Sequence, residues 1–104
     1  MLDPGSVNLG GRDADGLPRG SFVYTNDFDA IAAAMALHDE HQLRPSFAVY
    51  EPGFLRTILA WWEAGRLPAG SMIKFYLSTG QGLLGAPFGL PPTRRALEMY
   101  LTML

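Results

Sequence analysis

Glu51 stands where a parallel α/β protein would do its chemistry. It closes the run Ser46-Phe47-Ala48-Val49-Tyr50 and directly precedes the turn Pro52-Gly53. Ligands of such folds gather at the C-terminal ends of strands. A carboxylate there can move protons or fix a donor on a substrate. It can equally act as the acid at the start of the next helix, where the macrodipole favours negative charge. The sequence leaves both roles open.

Other groups compete for attention. The turn Asp3-Pro4-Gly5-Ser6-Val7-Asn8 concentrates small polar residues whose N–H and hydroxyl groups can meet a substrate anion. Taken alone, it marks a turn and nothing more. His38 and His41 lie three apart, near one helical face. Zinc needs a further protein ligand and a shaped site, whereas a helix end among charged neighbours suits solvated cations. The solvated helix end is the better reading. Gly80-Gln81-Gly82-Leu83-Leu84-Gly85 spells G-x-G-x-x-G after a strand, but Pro87, Pro91 and Pro92 follow before any helix opens. A dinucleotide loop needs its last glycine at a helix start. A loop over a strand end fits better, and such loops often line substrate sites. Lys74 lies on the polar side of an alternating strand. A barrel lumen would explain it, but a carboxylate partner or a snorkelled ammonium explains it slightly better.

These residues need elements to hold them, and three strand–helix units can be read in order. Ser21 to Thr25 is the first strand. Asn26 or Asp27 then caps a helix over Phe28 to Gln42, with Phe28, Ile31, Ala32 and Met35 as its apolar stripe. Ser46 to Tyr50 is the second strand. Its helix runs from Phe54 to Ala64 with Leu55, Ile58, Leu59 and Trp62 inward, and Gly65 suits the left-handed stop. Trp61 is expected against a neighbouring helix or subunit. Met72 to Leu77 is the third strand. A Gly- and Pro-rich βα loop follows over 78–92, and Thr93 caps a last helix with Leu97, Tyr100, Leu101 and Leu104 on one face. Residues 9–20 read as an exposed loop.

Strand–helix alternation with short links predicts an α/β fold with parallel pairing and right-handed crossovers. About three such units leave two sheet edges open. The expectation is a single segment, residues 1–104, that forms part of a larger parallel fold. The alternative is a small domain whose edges close by oligomerisation.

Composition sets the outer bounds. The chain has 104 residues, 48% of them hydrophobic, and a formal net charge of −2. That balance offers no basic patch for nucleic acid or anionic lipid. There is no cysteine, which excludes disulfides and thiolate metal sites. No apolar run approaches the roughly 18 residues of a membrane span, and the first residues lack the pattern of a signal peptide. A cytoplasmic protein is expected.

Several stretches occur together in a known order. They are Leu2-Asp3-Pro4-Gly5-Ser6-Val7-Asn8, Val23-Tyr24-Thr25-Asn26, Arg44-Pro45-Ser46-Phe47-Ala48-Val49-Tyr50-Glu51-Pro52-Gly53-Phe54-Leu55-Arg56, Ala64 to Ser71, and Phe88-Gly89-Leu90-Pro91-Pro92-Thr93. In this order they resemble the middle of the β-keto acid cleavage enzymes, also called 3-keto-5-aminohexanoate cleavage proteins. The resemblance implies a zinc-dependent TIM (β/α)8 barrel. Its chemistry converts a β-keto acid and acetyl-CoA into acetoacetate and a new acyl-CoA. It further implies that this chain supplies a partial barrel, since a whole one needs about 250 residues. The family's zinc ligands, a His-x-His strand motif and a late glutamate, do not occur here. Gly5, Ser6 and Asn8, with Asn26, match segments beside the substrate pocket. Where many members carry a glutamate, this chain has Ala48, and it offers Glu51 three residues later.

The implied partners are a small keto acid and an acyl-CoA, with a homo-oligomer, no nucleic acid and no membrane. Acting alone, the chain is expected to be inactive. Two other readings stand beside this one: a non-catalytic, oligomer-forming α/β module, and a small phosphate or nucleotide binder using Gly80 to Gly85.

Overall fold

In the computed structural model the described residues are 1–79, 81–82 and 85–104. The parallel heart of the fold is β3, Ser46–Val49, paired with β4, Met72–Phe75, with Ala48 opposite Lys74. Pro45 precedes β3 and blocks the αR conformation in the residue before it, so the chain enters extended. The N-terminus adds to the same sheet direction. Leu2 bridges Phe47 in parallel: its amide donates to Ser46 O at 2.8 Å, and the Ala48 amide donates to Leu2 O at 3.0 Å.

Between Leu2 and the first helix the chain makes an excursion. β1, Val7–Leu9, pairs antiparallel with β2, Phe22–Tyr24. This corrects the expected role of residues 21–25, which are not the first of the parallel strands. Two three-residue strands joined by a polar, glycine-rich turn close on each other antiparallel, as a hairpin connection allows. Leu2, just before the turn, takes the parallel place. Residues 11–20 are exposed apart from the half-buried Asp13, but they are ordered by an Arg12–Pro18 bridge. Asp13 accepts from the amides of Asp15 and Leu17 and from Arg19 Nε. The Arg19 bond, more than the two amides, holds its carboxyl below the usual aspartate range. Gly10 is required by close approach: a Cβ there would stand 2.0 Å from Arg19 O.

The helices follow from their caps. α1, Phe28–Glu40, starts on Asp27, which accepts from the Ala30 amide at 2.8 Å. It ends two residues earlier than expected, because Gln42 turns left-handed at φ +52. α2, Pro52–Glu63, opens on a proline whose missing N–H costs nothing there, and Gly65 at φ +69 stops it. α3, Arg94–Met103, is capped by Thr93 through the Ala96 amide at 3.1 Å.

Ile31, Met35, Phe47, Val49, Leu55, Ile58 and Tyr100 make the core. The Phe75 ring stacks on Tyr100 at 4.7 Å between centroids. Ile31 and Met35 of α1, Leu55 and Ile58 of α2 and Tyr100 of α3 are buried as expected, but each helix departs from its expected apolar face at particular residues. Phe28 is 79% exposed at the first residue of α1, over a cleft rather than on the sheet. Trp62 is 65% exposed, because among the described residues no element covers the last turn of α2. Trp61 packs on the core instead, with the Arg66 guanidinium 5.5 Å from its ring. α3 docks through Ala96 and Tyr100, which leaves Leu97, Leu101 and Leu104 exposed. Among the described residues no helix is long and apolar enough to cross a membrane.

Candidate functional site

The site is built where β3 runs out. Glu51 takes the N-cap position of α2 in an extended conformation, at φ −139 and ψ 154, yet its side chain makes no bond to the helix. Its Oε1 instead accepts from the Gly89 amide at 2.8 Å. Two clefts meet at this point. The larger, about 730 Å³, lies between the β1–β2 ribbon and residues 86–88, and is lined by Ser6, Asn8, Arg19, Glu51 and Phe88 among others. The smaller, about 420 Å³, is bounded by Gly5, Ser6, Asn26, Glu51, Phe54 and Thr57. Ser6 and Glu51 border both.

The turn at Gly5-Ser6 is locked to the end of the ribbon. Ser6 Oγ donates to Asn26 O at 3.1 Å and accepts from the Asn26 amide at 2.8 Å. Asn26 Nδ2 donates to Gly5 O at 3.0 Å. Gly5 lies so close to the Phe54 ring that a Cβ would stand 2.4 Å from it. Asn8 sits on β1 opposite Val23, exposed along the larger cleft. The fold therefore gathers Gly5, Ser6, Asn8, Asn26 and Glu51 around two adjoining clefts. Polar side chains and backbone amides in such concavities can hold a small anionic molecule, and clefts of this size suit one.

Sequence reasoning missed a second group on the sheet face turned away from the helices. The Tyr24 hydroxyl donates to Asp3 Oδ2, and Asp3 Oδ1 is buried without a hydrogen-bond partner among the described residues. Tyr50 and Tyr76 lie 4.7 Å apart on that face, ring to ring. Lys74 Nζ sits 3.4 Å from Met1 Sδ and 5.8 Å from the Tyr76 ring centroid; among the described residues it forms no ion pair. The hydrogen bond to Asp3 is the main cause raising the Tyr24 phenol above its ordinary value. Burial is the main cause raising Tyr50, with the Asp3 charge adding to it. The alternation Met72, Lys74, Tyr76, Ser78 carried part of this face in the sequence. The Asp3–Tyr24 tie spans 21 positions and had no local signal.

The histidines stand apart from the clefts. His38 Nδ1 lies 2.8 Å from Ala34 O, within its own helix, and His41 is the C-cap. The start of α1 borders the smaller cleft, so at 1.5 Å per residue His38 sits about 15 Å and His41 about 20 Å along the helix from it. Among the described residues no group of three or more His, Asp or Glu side chains is placed to hold a metal ion. Zinc seeks several nitrogen, sulfur or carboxylate ligands together. The residues at these clefts do not fit it: no imidazole is near, and Glu51 has one oxygen committed to Gly89. Of the glycine run 80–85, residues 80, 83 and 84 lie outside the described residues.

The family model for beta-keto acid cleavage enzyme matches residues 1–104. No curated protein matches the chain.

Proposed function

Because this chain belongs to the beta-keto acid cleavage enzyme family, we propose that it forms the substrate-facing part of such an enzyme, a partial TIM barrel of about three strand–helix units. The intact enzyme takes a β-keto acid and acetyl-CoA to acetoacetate and a new acyl-CoA. The observation that carries the proposal is the convergence of Gly5, Ser6, Asn8, Asn26 and Glu51 on two clefts sharing Ser6 and Glu51. That convergence lies at the C-terminal end of a parallel strand, where barrel enzymes place their sites.

Each residue has a proposed part. The backbone amides at Gly5 and Ser6 hold the keto acid's carboxylate, and the Ser6 hydroxyl keeps that turn in place through Asn26. The Asn8 and Asn26 amides orient its oxygens. Glu51 accepts or returns a proton beside them. The family's zinc would polarise a keto oxygen when bound. Its ligands belong to polypeptide this chain does not include, so no step here runs through it. Acetyl-CoA is the co-substrate and the setting is cytoplasmic.

The family's homo-oligomeric setting is part of the proposal, and Phe22, Phe28, Leu101 and Leu104 are exposed and open to other polypeptide.

An exchange experiment tests the proposal. The purified chain alone is expected to bind no stoichiometric zinc and to make no acetoacetate from β-keto acids and acetyl-CoA. Substituted for the matching segment of an active family member, it is expected to give turnover that Ser6→Ala or Glu51→Ala reduces sharply. A folded, zinc-loaded hybrid without turnover would contradict the proposal. So would zinc-dependent turnover by the chain alone.

A further inference from the structure

Residues 86–90 are fastened across the ends of β3 and β4 by several unlike contacts. The Gly89 amide donates to Glu51 Oε1 at 2.8 Å. Ser78 Oγ donates to Phe88 O at 2.8 Å, and the Ser78 amide donates to Leu90 O at the same distance. The Phe88 ring meets Tyr50 edge-on at 6.3 Å, and Ala86 is buried. Gly89 adopts φ +87, which other residues rarely tolerate. A Cβ there would stand 3.0 Å from Tyr50 O and 3.2 Å from Ser78 Oγ.

Glu51 is the odd member of this clasp. A carboxylate at a helix N-cap ordinarily accepts from the first turn. This one turns away, to an amide 38 positions later. Charge makes such a bond stronger than a neutral one. The segment it holds carries Ala86, Pro87 and Phe88, one wall of the larger cleft.

We propose that Glu51, besides the proton-handling part given to it above, has a positioning role: through Oε1 its carboxylate holds residues 86–90 in place and so sets the width of the larger cleft. The consequence for substrate rests on the function proposed above. The contact itself is tested without substrate, so either idea can fail while the other stands.

Amide hydrogen exchange, read by NMR on the whole chain, is the test. Exchange at Gly89 is compared with that at Ile58, buried in α2. E51A is expected to speed Gly89 exchange relative to Ile58 by roughly tenfold or more, the scale of losing a charged hydrogen bond. E51Q keeps an acceptor oxygen and is expected to restore most of the protection. Should E51A fail to fold, E51D, one methylene shorter, reads the same contact. Gly89 exchange that keeps pace with Ile58 in these variants, or E51Q as fast as E51A, would overturn the proposal.

Discussion

The Tyr24 hydroxyl hydrogen-bonds to Asp3 Oδ2 and ties the β1–β2 ribbon to the segment that pairs with β3. The Gly5-Ser6 turn between them is held by that tie and by the Asn26 bonds beside it. Tyr24→Phe should therefore lower stability by about 1–2 kcal/mol, the usual cost of removing a bond to a charged acceptor. Urea unfolding checks this through the midpoint, with the slope unchanged. An unmoved midpoint would mean the tie contributes nothing.

Gly5→Ala should be worse than a typical surface change. The new methyl would run into the Phe54 ring, a side chain buried in the core. Overpacking of this kind costs about 1–3 kcal/mol. Thermal unfolding should show the loss, and Phe54 ring resonances should shift. Gly53→Ala meets no atom within 4 Å and serves as the control.

High pH should unfold the chain earlier than its charge balance predicts. Burial, more than the nearby Glu51 charge, pushes the Tyr100 phenol up to about 12. The unfolded phenol ionises near pH 10. The native state thus keeps a proton the unfolded state has lost. This stabilisation is whole below about pH 10 and drains away as pH rises towards 12, on the order of 2 kcal/mol in all. Tyr24 and Tyr50 are raised as well and act with the same sign. Tyr100→Phe should flatten the fall in stability across this window. It should cost little at neutral pH, since the hydroxyl is buried and meets no hydrogen-bond partner among the described residues. A variant whose alkaline profile matches the parent's would contradict this.

Two helix caps should be separable. Asp27→Ala and Thr93→Ala each remove one side-chain bond to a first-turn amide. Each should cost about 1 kcal/mol, and because the two caps serve different helices the losses should add. A double-mutant cycle on unfolding free energies reads the sum.

Local rules carried most of this fold in the sequence. Thr93, Gly65 and Pro45 set their elements through backbone chemistry that needs no distant partner. β3 and β4 were legible from their composition, and their parallel pairing from the intervening helix. β2 was legible as a strand within Ser21 to Thr25, but its partner was not: β1 is three residues in a turn-rich stretch, too short for periodicity to register, so the antiparallel pairing had no signal. Exposed Trp62 and Leu101 escaped for another reason: a helix's apolar stripe says which residues can face a partner, and only the tertiary arrangement says whether one is there. At the site, Glu51 was found from its place at a strand end. Its bond to Gly89 and the Asp3–Tyr24 tie depend on chain separations of 38 and 21 residues, which no local pattern encodes.

The central claim is that Gly5, Ser6, Asn8, Asn26 and Glu51 form one place where a small keto acid settles. Titrating the isotopically labelled chain with acetoacetate, and following every backbone amide, asks that directly. Saturable shifts at Ser6, Asn8 and Asn26, with His38 and His41 unmoved, are the predicted result. Shifts centred elsewhere, or none at millimolar acetoacetate, would contradict it.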